Sequence, residues 1–239
     1  MAYLSGRAYF LSKKVGKAIS DYGMLDDGDR VAVAVSGGKD SLALLRIMQE
    51  RRKFVPIKYE IIAVHVDLGY GGVNPARLER YLRGIGVEFH IERSDALRSG
   101  DRGKINCFWC SWNRRKALFE AADRLGCAKV ALGHHKDDIV QTILLNFFFH
   151  GEISAMCPKQ ELFGGKLTLI RPLAYVEEKE IIAFAAAYKI PAQKCRCPHS
   201  GKTNRALVGR FIAQAERVCP DVKTNIFRSV KRIKREYLP

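Results

Sequence analysis

The sequence predicts an α/β protein: a mainly parallel central sheet flanked by helices, with a helical C-terminal extension. Three observations carry this. Short apolar, β-branched runs alternate with longer stretches of helical periodicity along most of the 239 residues. One such run, 31–35, breaks abruptly into Ser36-Gly37-Gly38-Lys39-Asp40-Ser41 and is followed at once by an apolar stretch, 42–48, which reads as strand, tight loop and helix. A second junction of the same kind follows 129–132, at Gly133-His134-His135-Lys136-Asp137-Asp138. Ligands in such sheets sit at the carboxyl ends of the strands, so both junctions fall on the expected functional rim.

Taken in order, residues 11–22 read as a helix closed by Gly23, a residue type that supplies the left-handed stop. Residues 30–35 form the first strand, 41–52 a helix and 60–66 the second strand, built on Ile61, Ile62, Ala63 and Val64. Residues 75–84 form a short helix opened by Pro75, whose missing N–H is harmless in a first turn. The third strand is 87–91. A helix over 108–125 closes at Gly126, the fourth strand is 129–132, and 136–149 is again helical. A fifth strand, 167–170, runs into Arg171-Pro172-Leu173, and 177–188 is a helix closed near Pro191. Residues 203–217 and 222–235 are terminal helices, while 69–74 and 95–106 read as mobile loops near the rim. There is no internal repeat and no low-complexity linker. The division that follows is an N-terminal helical segment (1–23), a nucleotide-binding domain (24–192) and a cysteine-containing loop with basic helices (193–239).

Hydrophobic content of 47% is ordinary for a folded chain of this length. No run is long and apolar enough to span a membrane. Arg7, Lys13, Lys14 and Lys17 interrupt any apolar core of a secretion signal, so a cytoplasmic protein without membrane partners is the expectation. The formal charge is +16, from 41 Lys+Arg against 25 Asp+Glu, and an excess of this size points to a polyanionic partner. Its distribution favours nucleic acid over a merely solvated surface. Arg228, Lys231, Arg232 and Arg235 fall on one face of the predicted last helix, with Val222, Ile226, Val230 and Ile233 on the other.

The loop 36–41 is suited to phosphate or pyrophosphate. Glycines allow the backbone close to an anion, and the unpaired N–H groups of a helix start carry partial positive charge. It is not a Walker A loop, because Asp40 rather than Ser or Thr follows Lys39 and the early glycine is missing. Nor is it the GxGxxG dinucleotide fingerprint. At the second junction, Gly133 lets the chain pass close to a nucleotide. Capping of a helix start accounts for one of the two aspartates, and Asp138 is read as the ligand of ATP or of Mg²⁺, a metal that prefers one or two carboxylates plus phosphate oxygens. His65, at the end of the second strand, either contacts the adenosine or is a structural strand-end histidine.

Seven cysteines without a secretion signal point to reduced thiols, metal ligands or a reactive site. Cys107-Phe-Trp-Cys110 opens a helix, where thiolate is favoured. A zinc ribbon would need a second CxxC nearby, and the only other paired thiols are Cys195 and Cys197. One outcome is three ligands, Cys107, Cys110 and Cys197, a set that suits a 4Fe-4S cluster with one iron open to another ligand. Structural zinc with Cys195 as fourth ligand, and a metal-free thiol pair relaying persulfide sulfur, remain open. Cys127, Cys157 and Cys219 lack partners at ligand spacing and read as packing residues.

The string SGGKDS resembles the PP-loop of the ATP pyrophosphatase superfamily, whose fold is the adenine nucleotide alpha hydrolase-like, Rossmann-like sheet. With Asp27-Gly-Asp-Arg30, the CxxC at Cys107, Arg114-Arg115, GHHKDDIVQT at Gly133 and Ile170-Arg-Pro-Leu-Ala174, the chain from about residue 11 to 204 is similar to the tRNA 2-thiolation branch, and to the tRNA 2-thiocytidine synthetase family in particular. The Cys-Pro-His-Ser string at Cys197 and Val64-His-Val-Asp-Leu-Gly69 look more like the 2-thiouridine branch. The resemblance implies ATP-dependent insertion of sulfur at C2 of a tRNA pyrimidine, cytidine 32 for the named branch, through a three-cysteine 4Fe-4S cluster. It implies catalytic roles for Cys107, Cys110, Cys197, Lys39 and Asp40. It also implies an ATP site of Ser36, Gly37, Gly38, Lys39, Asp40, Ser41, His65, Lys116, Gly133 and Asp138. The implied cofactors are ATP, Mg²⁺ and the cluster. The implied partners are tRNA and a sulfur donor, either a cysteine desulfurase or free sulfide, with a homodimer left open. A PP-loop ligase acting on a small molecule would explain SGGKDS but neither the three cysteines nor the charge. A lysidine-type tRNA ligase would explain the charge but not the CxxC. A redox-sensing RNA-binding protein would leave intact Lys39, Asp40 and Ser41 without a purpose.

Overall fold

Six strands form one sheet in the order β3-β2-β1-β4-β6-β5 in a computed structural model that describes residues 6–69, 73–94, 107–193 and 204–237. The strands are β1 (Asp29–Ala34), β2 (Tyr59–Asp67), β3 (Glu88–Arg93), β4 (Lys129–Ala131), β5 (Lys159–Leu162) and β6 (Leu167–Ile170). The helices are α1 (Arg7–Asp21), α2 (Lys39–Arg51), α3 (Pro75–Gly84), α4 (Cys107–Arg124), α5 (Lys136–His150), α6 (Glu178–Ala187), α7 (Asn204–Val218) and α8 (Val222–Ser229). Every pairing is parallel except that of β5 with β6. The predicted α/β class, central parallel sheet and C-terminal helices are therefore present.

Alternation along β1 explains how both faces are covered. Val31, Val33 and Val35 point into a cluster with α1, α2, α3 and α6, whereas Ala32 points into a second cluster with α4. On the first face α2 contributes Leu42, Leu44, Leu45, Ile47 and Met48, all fully buried. Each such side chain is worth about 1.5–3 kcal/mol of transfer free energy, so α2 and the loop before it are held on a rigid base. On the second face Leu118, Ala121 and Ala122 of α4 meet Ile62, Val64 and Val130. Helices α7 and α8 pack on α5 through Val140, Val208, Ile212, Ile226 and Phe227.

Two predicted elements need correction. The edge strand β5 was not foreseen, because Lys159-Gln160-Glu161-Leu162 is polar and carries no period-2 apolar signal. The last helix ends at Ser229, well short of the expected residue 235. There the Ser229 hydroxyl donates to the Ile226 carbonyl (2.8 Å), and the chain tightens into i→i+3 bonds at Lys231 and Arg232. The single basic face is thereby broken up: the Lys231 ammonium turns onto the Tyr22 ring, 4.7 Å from its centroid.

Candidate active site

The order of strands reverses between β1 and β4. From β1 the chain builds outward through β2 and β3, then returns to place β4 on the other side. Such a switch point opens a crevice at the carboxyl edge, because the loops that follow the two strands leave in opposite directions. The loop 36–41 leaves β1 and Gly133 leaves β4, so both sequence junctions line this crevice.

The loop is organised by its own hydroxyls. Ser41 Oγ accepts the Ser36 N–H (3.1 Å) and donates to the Gly38 carbonyl (3.0 Å), while Ser36 Oγ accepts the Gly38 N–H (3.3 Å). Gly37 has φ 81°, and a Cβ there would lie 3.0 Å from Val73, so only glycine turns this corner freely. Lys39 opens α2, and its ammonium lies 2.8 Å from Glu178 Oε1 and 3.1 Å from Asp40 Oδ1. Burial pulls the Lys39 pKa down, but the bonds to Glu178 and Asp40 outweigh this and hold it above the ordinary lysine value. A charged lysine on a helix start is thus fixed at the place where phosphate would lie.

Gly133 makes the closest backbone approach at the site. A Cβ on it would sit 3.0 Å from both Cα and N of Ser41 and 3.1 Å from the carbonyl carbon of Asp40. The end of β4 therefore touches the first turn of α2 through backbone alone. His135 lies buried between the two, with Nε2 3.9 Å from Asp40 Oδ1 and 3.4 Å from Asp138 Oδ2. Burial lowers its pKa, and the carboxylates of Asp137, Asp138 and Asp40 more than reverse that, so it is raised.

The two aspartates divide the work in an unexpected way. Asp137 accepts the Glu178 N–H (2.8 Å) and pairs with Lys223 (2.9 Å), joining α5 to α6 and α8. Burial would raise its pKa, but the His135 ring, Lys223 and the Glu178 N–H together hold it far below the usual carboxylate range. Asp138 makes the helix cap, accepting the His135 N–H with Oδ2 (3.1 Å), while Oδ1 lies 3.6 Å from Arg205. Among the described residues no group of three or more His, Cys, Asp or Glu could hold a metal by itself. Asp40 and Asp138, flanking the crevice, remain a fit for a magnesium ion that takes most of its ligands from phosphate and water.

His65 ends β2 with its ring buried, Nδ1 2.7 Å from the Val35 carbonyl. Burial lowers its pKa, so the ring is neutral near pH 7 and the bond to a carbonyl assigns the proton to Nδ1. Lys116 is exposed, and its ammonium lies near Glu120 (3.9 Å) and the Trp112 ring (5.8 Å) on its own helix rather than on the loop. Cys107 is the first residue of α4, and Cys110, one turn on, is half-buried in the cluster that also takes Ala34 and Leu132, the ends of β1 and β4. The CxxC helix thus starts at the crevice edge. Cys195 and Cys197 lie outside the described residues, as do 70–72 and 95–106 of the two segments read as loops. Of the cysteines read as packing residues, Cys127 is buried as expected, Cys219 is half-exposed and Cys157 is exposed. The correction for Cys157 has a plain cause: the irregular segment after α5 turns Ala155 and Met156 onto the cluster of Ile139, Ile143 and Ala174 and leaves Cys157 outside it.

Four residues at this rim were not singled out as site residues by sequence reasoning: Glu178, His135, Arg171 and Arg205. Glu178 and Lys39 are 139 positions apart, so no local signal links them. Arg171 offered a signal, since a charged residue ends the fully buried run 167–170.

A family model described as a PP-loop domain matches residues 10–214. The tRNA-cytidine(32) 2-sulfurtransferase of Geobacter sulfurreducens is 42% identical over 234 residues, covering 95% of this chain and 91% of the relative. The protein of the same description from Geotalea uraniireducens is 38% identical, covering 100% of this chain and 97% of its own. Among solved structures, the U34-tRNA thiolase NcsA of Methanococcus maripaludis with its [4Fe-4S] cluster superimposes with a TM-score of 0.80 at 25% identity, covering 98% of this chain and 80% of that one.

Proposed function

The chain belongs to the PP-loop domain family, and from that premise we propose that it is an ATP-dependent tRNA sulfurtransferase that exchanges the C2 oxygen of cytidine 32 for sulfur. The observation that carries the reading is the crevice between β1 and β4, where a phosphate-type loop and a CxxC helix start at one edge of the sheet. Sulfur transfer to tRNA is the activity named for the relatives at 38–42% identity, and these names favour cytidine 32 over uridine 34.

The chemistry follows from leaving-group ability. A pyrimidine C2 oxygen does not leave unaided. Attack of that oxygen on the α-phosphorus of ATP releases pyrophosphate and leaves the base adenylated. A sulfur nucleophile then adds at C2, and AMP departs with the oxygen. The loop N–H groups and Ser36, Gly37, Gly38 and Ser41 hold the pyrophosphate. Lys39 exchanges its bond to Glu178 for phosphate oxygens and offsets the charge that grows on the leaving pyrophosphate. Asp40 and Asp138 are the residues that would hold a magnesium ion, which would offset the phosphate charge. His65 presents its unprotonated Nε2 to the nucleotide, and Gly133 lets the end of β4 close on the first turn of α2 to form the floor of the nucleotide site. Lys116 is the remaining residue read as an ATP contact, reached by swinging off Glu120.

Cys107, Cys110 and Cys197 are the residues that would hold an iron–sulfur cluster in this reading, and a cluster held by three thiolates would supply a site able to deliver sulfur. Cys110 supports the fit, being half-buried beside the strand ends rather than on the outer face of α4. The target base must leave its stack to reach the crevice, which is least costly in an anticodon loop.

ATP–pyrophosphate exchange, measured with and without tRNA, tests the proposal. Exchange that depends on tRNA containing an unmodified cytidine 32, and that is lost in Lys39→Met, is the expected result. Exchange driven by a small molecule in the absence of tRNA would replace it with a ligase reading.

A further inference from the structure

Arg171 is buried to 6% exposure at the carboxyl end of β6, and among the described residues no carboxylate pairs with it. Its Nη1 donates to the Cys157 carbonyl, and its Nε is buried with no partner. A guanidinium taken out of water without a counter-charge costs several kcal/mol, so this one is placed at the expense of stability. Its charged surroundings make the cost worse. Arg115 of α4 is an electrostatic neighbour of like sign, and Arg205 stands nearby on α7. His134, between β4 and α5, feels both Arg171 and Arg205, and its buried Nδ1 is also unbonded. Burial first, and Arg171 second, push its pKa down to about 4, so the ring stays neutral and adds no further positive charge beside Arg171. The one carboxylate at this spot, Asp138, lies 3.6 Å from Arg205 and spends its other oxygen on the helix cap.

We infer that Arg171, with Arg115 beside it on α4 and Arg205 on the far side of His134, forms a second anion site on the crevice rim that takes a phosphodiester of the RNA substrate. It is separate from the loop 36–41. Arg171 ends a strand two removed from β1, so strand spacing alone sets it about 10 Å from the pyrophosphate loop. That separation suits a phosphate belonging to a second molecule whose base enters between the two sites. Arg171 and Arg115 also lie on the α4 side of the sheet, the side of Cys110, so a nucleotide anchored there meets the CxxC end of the crevice. A forked guanidinium also matches the paired oxygens of a phosphodiester bidentately. This inference rests on the tRNA reading above.

Binding of an anticodon stem-loop RNA is measured against salt for the parent chain and for Arg171→Met, Arg115→Gln and Arg205→Gln, with ATP affinity as a parallel arm. Each variant is expected to weaken RNA binding about tenfold or more and to lower the slope of log affinity against log salt by about 1. A loss confined to the RNA arm supports the site. Arg115 and Arg205 are exposed, so their variants stand even if Arg171→Met folds poorly. An equal loss in the ATP arm assigns the phosphate to the nucleotide and overturns the inference, as does unchanged RNA binding in all three variants. If the parent chain binds no RNA, the tRNA reading falls and this site falls with it; if it binds RNA and the variants match it, this site alone falls.

Discussion

Gly133→Ala is the smallest change that separates the β1–β4 crevice from the rest of the fold. One methyl is added. Its carbon would lie 3.0 Å from Cα and N of Ser41 and 3.1 Å from the Asp40 carbonyl carbon. Carbon contacts relax at about 3.5–4.0 Å, so the first turn of α2 and the end of β4 must separate by roughly 0.5 Å. Both partners are backbone on rigid elements, and no side chain can swing away to absorb the clash. Overpacking of this kind costs about 1–3 kcal/mol. The loop is carried by the same turn, and catalytic geometry tolerates only about 0.5 Å of error. The expected result is a melting temperature lowered by several degrees and tRNA-dependent ATP–pyrophosphate exchange lowered about ten- to a hundredfold. Gly84→Ala is the control. It lies at the end of α3 with nothing within 4 Å of a new Cβ, and is expected to be neutral or stabilising by up to about 1 kcal/mol. Parent-like stability together with parent-like exchange in Gly133→Ala would refute the argument that the two junctions meet through backbone.

Three further outcomes follow from the same geometry. Because the His134 pKa is depressed to about 4 in the folded chain, the unfolded chain binds the extra proton between pH 6.5 and 4; that stability is fully present above pH 6.5 and falls by up to about 3 kcal/mol as the pH drops through this window. His65 acts in the same direction and His135 against it, so the check is the difference in urea midpoint at pH 7 and pH 5 between the parent and His134→Gln, which should shrink in the variant. Asp137→Ala leaves the Glu178 N–H without its acceptor and Lys223 with Glu216 alone, and is expected to cost about 1–3 kcal/mol in urea denaturation. After anaerobic reconstitution, Cys107→Ala, Cys110→Ala and Cys197→Ala should lose iron and sulfide together while Cys195→Ala keeps them; full iron in Cys197→Ala would reject it as the third ligand.

Much of the framework is written locally in the chain. Val31 to Val35 and Leu167 to Ile170 are apolar, β-branched or leucine-rich, and bounded by turn residues, so their strands could be read directly. The strand β5 could not, since it is polar and owes its existence to an edge position beside β6. The last helix was overextended because Val230 and Ile233 keep helical spacing, while the break arises from the Ser229 hydroxyl competing for a backbone carbonyl. At the site, Ser36 to Ser41 and Gly133 were legible because backbone approach to an anion demands small residues in fixed order. The partners Glu178, Lys223 and Arg205 were not, because each reaches its mate across a gap in sequence that only the tertiary fold closes. Asp137 and Asp138 show the limit most clearly. Adjacent and chemically identical, they are told apart only by α6 and α8: Asp137 ties both helices to α5, while Asp138 caps α5 at the crevice.

The central claim is most directly tested by mass spectrometry of nucleosides from tRNA incubated with ATP, a sulfur source and the anaerobically reconstituted protein. The account predicts 2-thiocytidine, located at position 32 by fragment mapping and absent when ATP is withheld. Thiolation at uridine 34 alone, or no thionucleoside at all from protein that retains its iron and binds ATP, would contradict it.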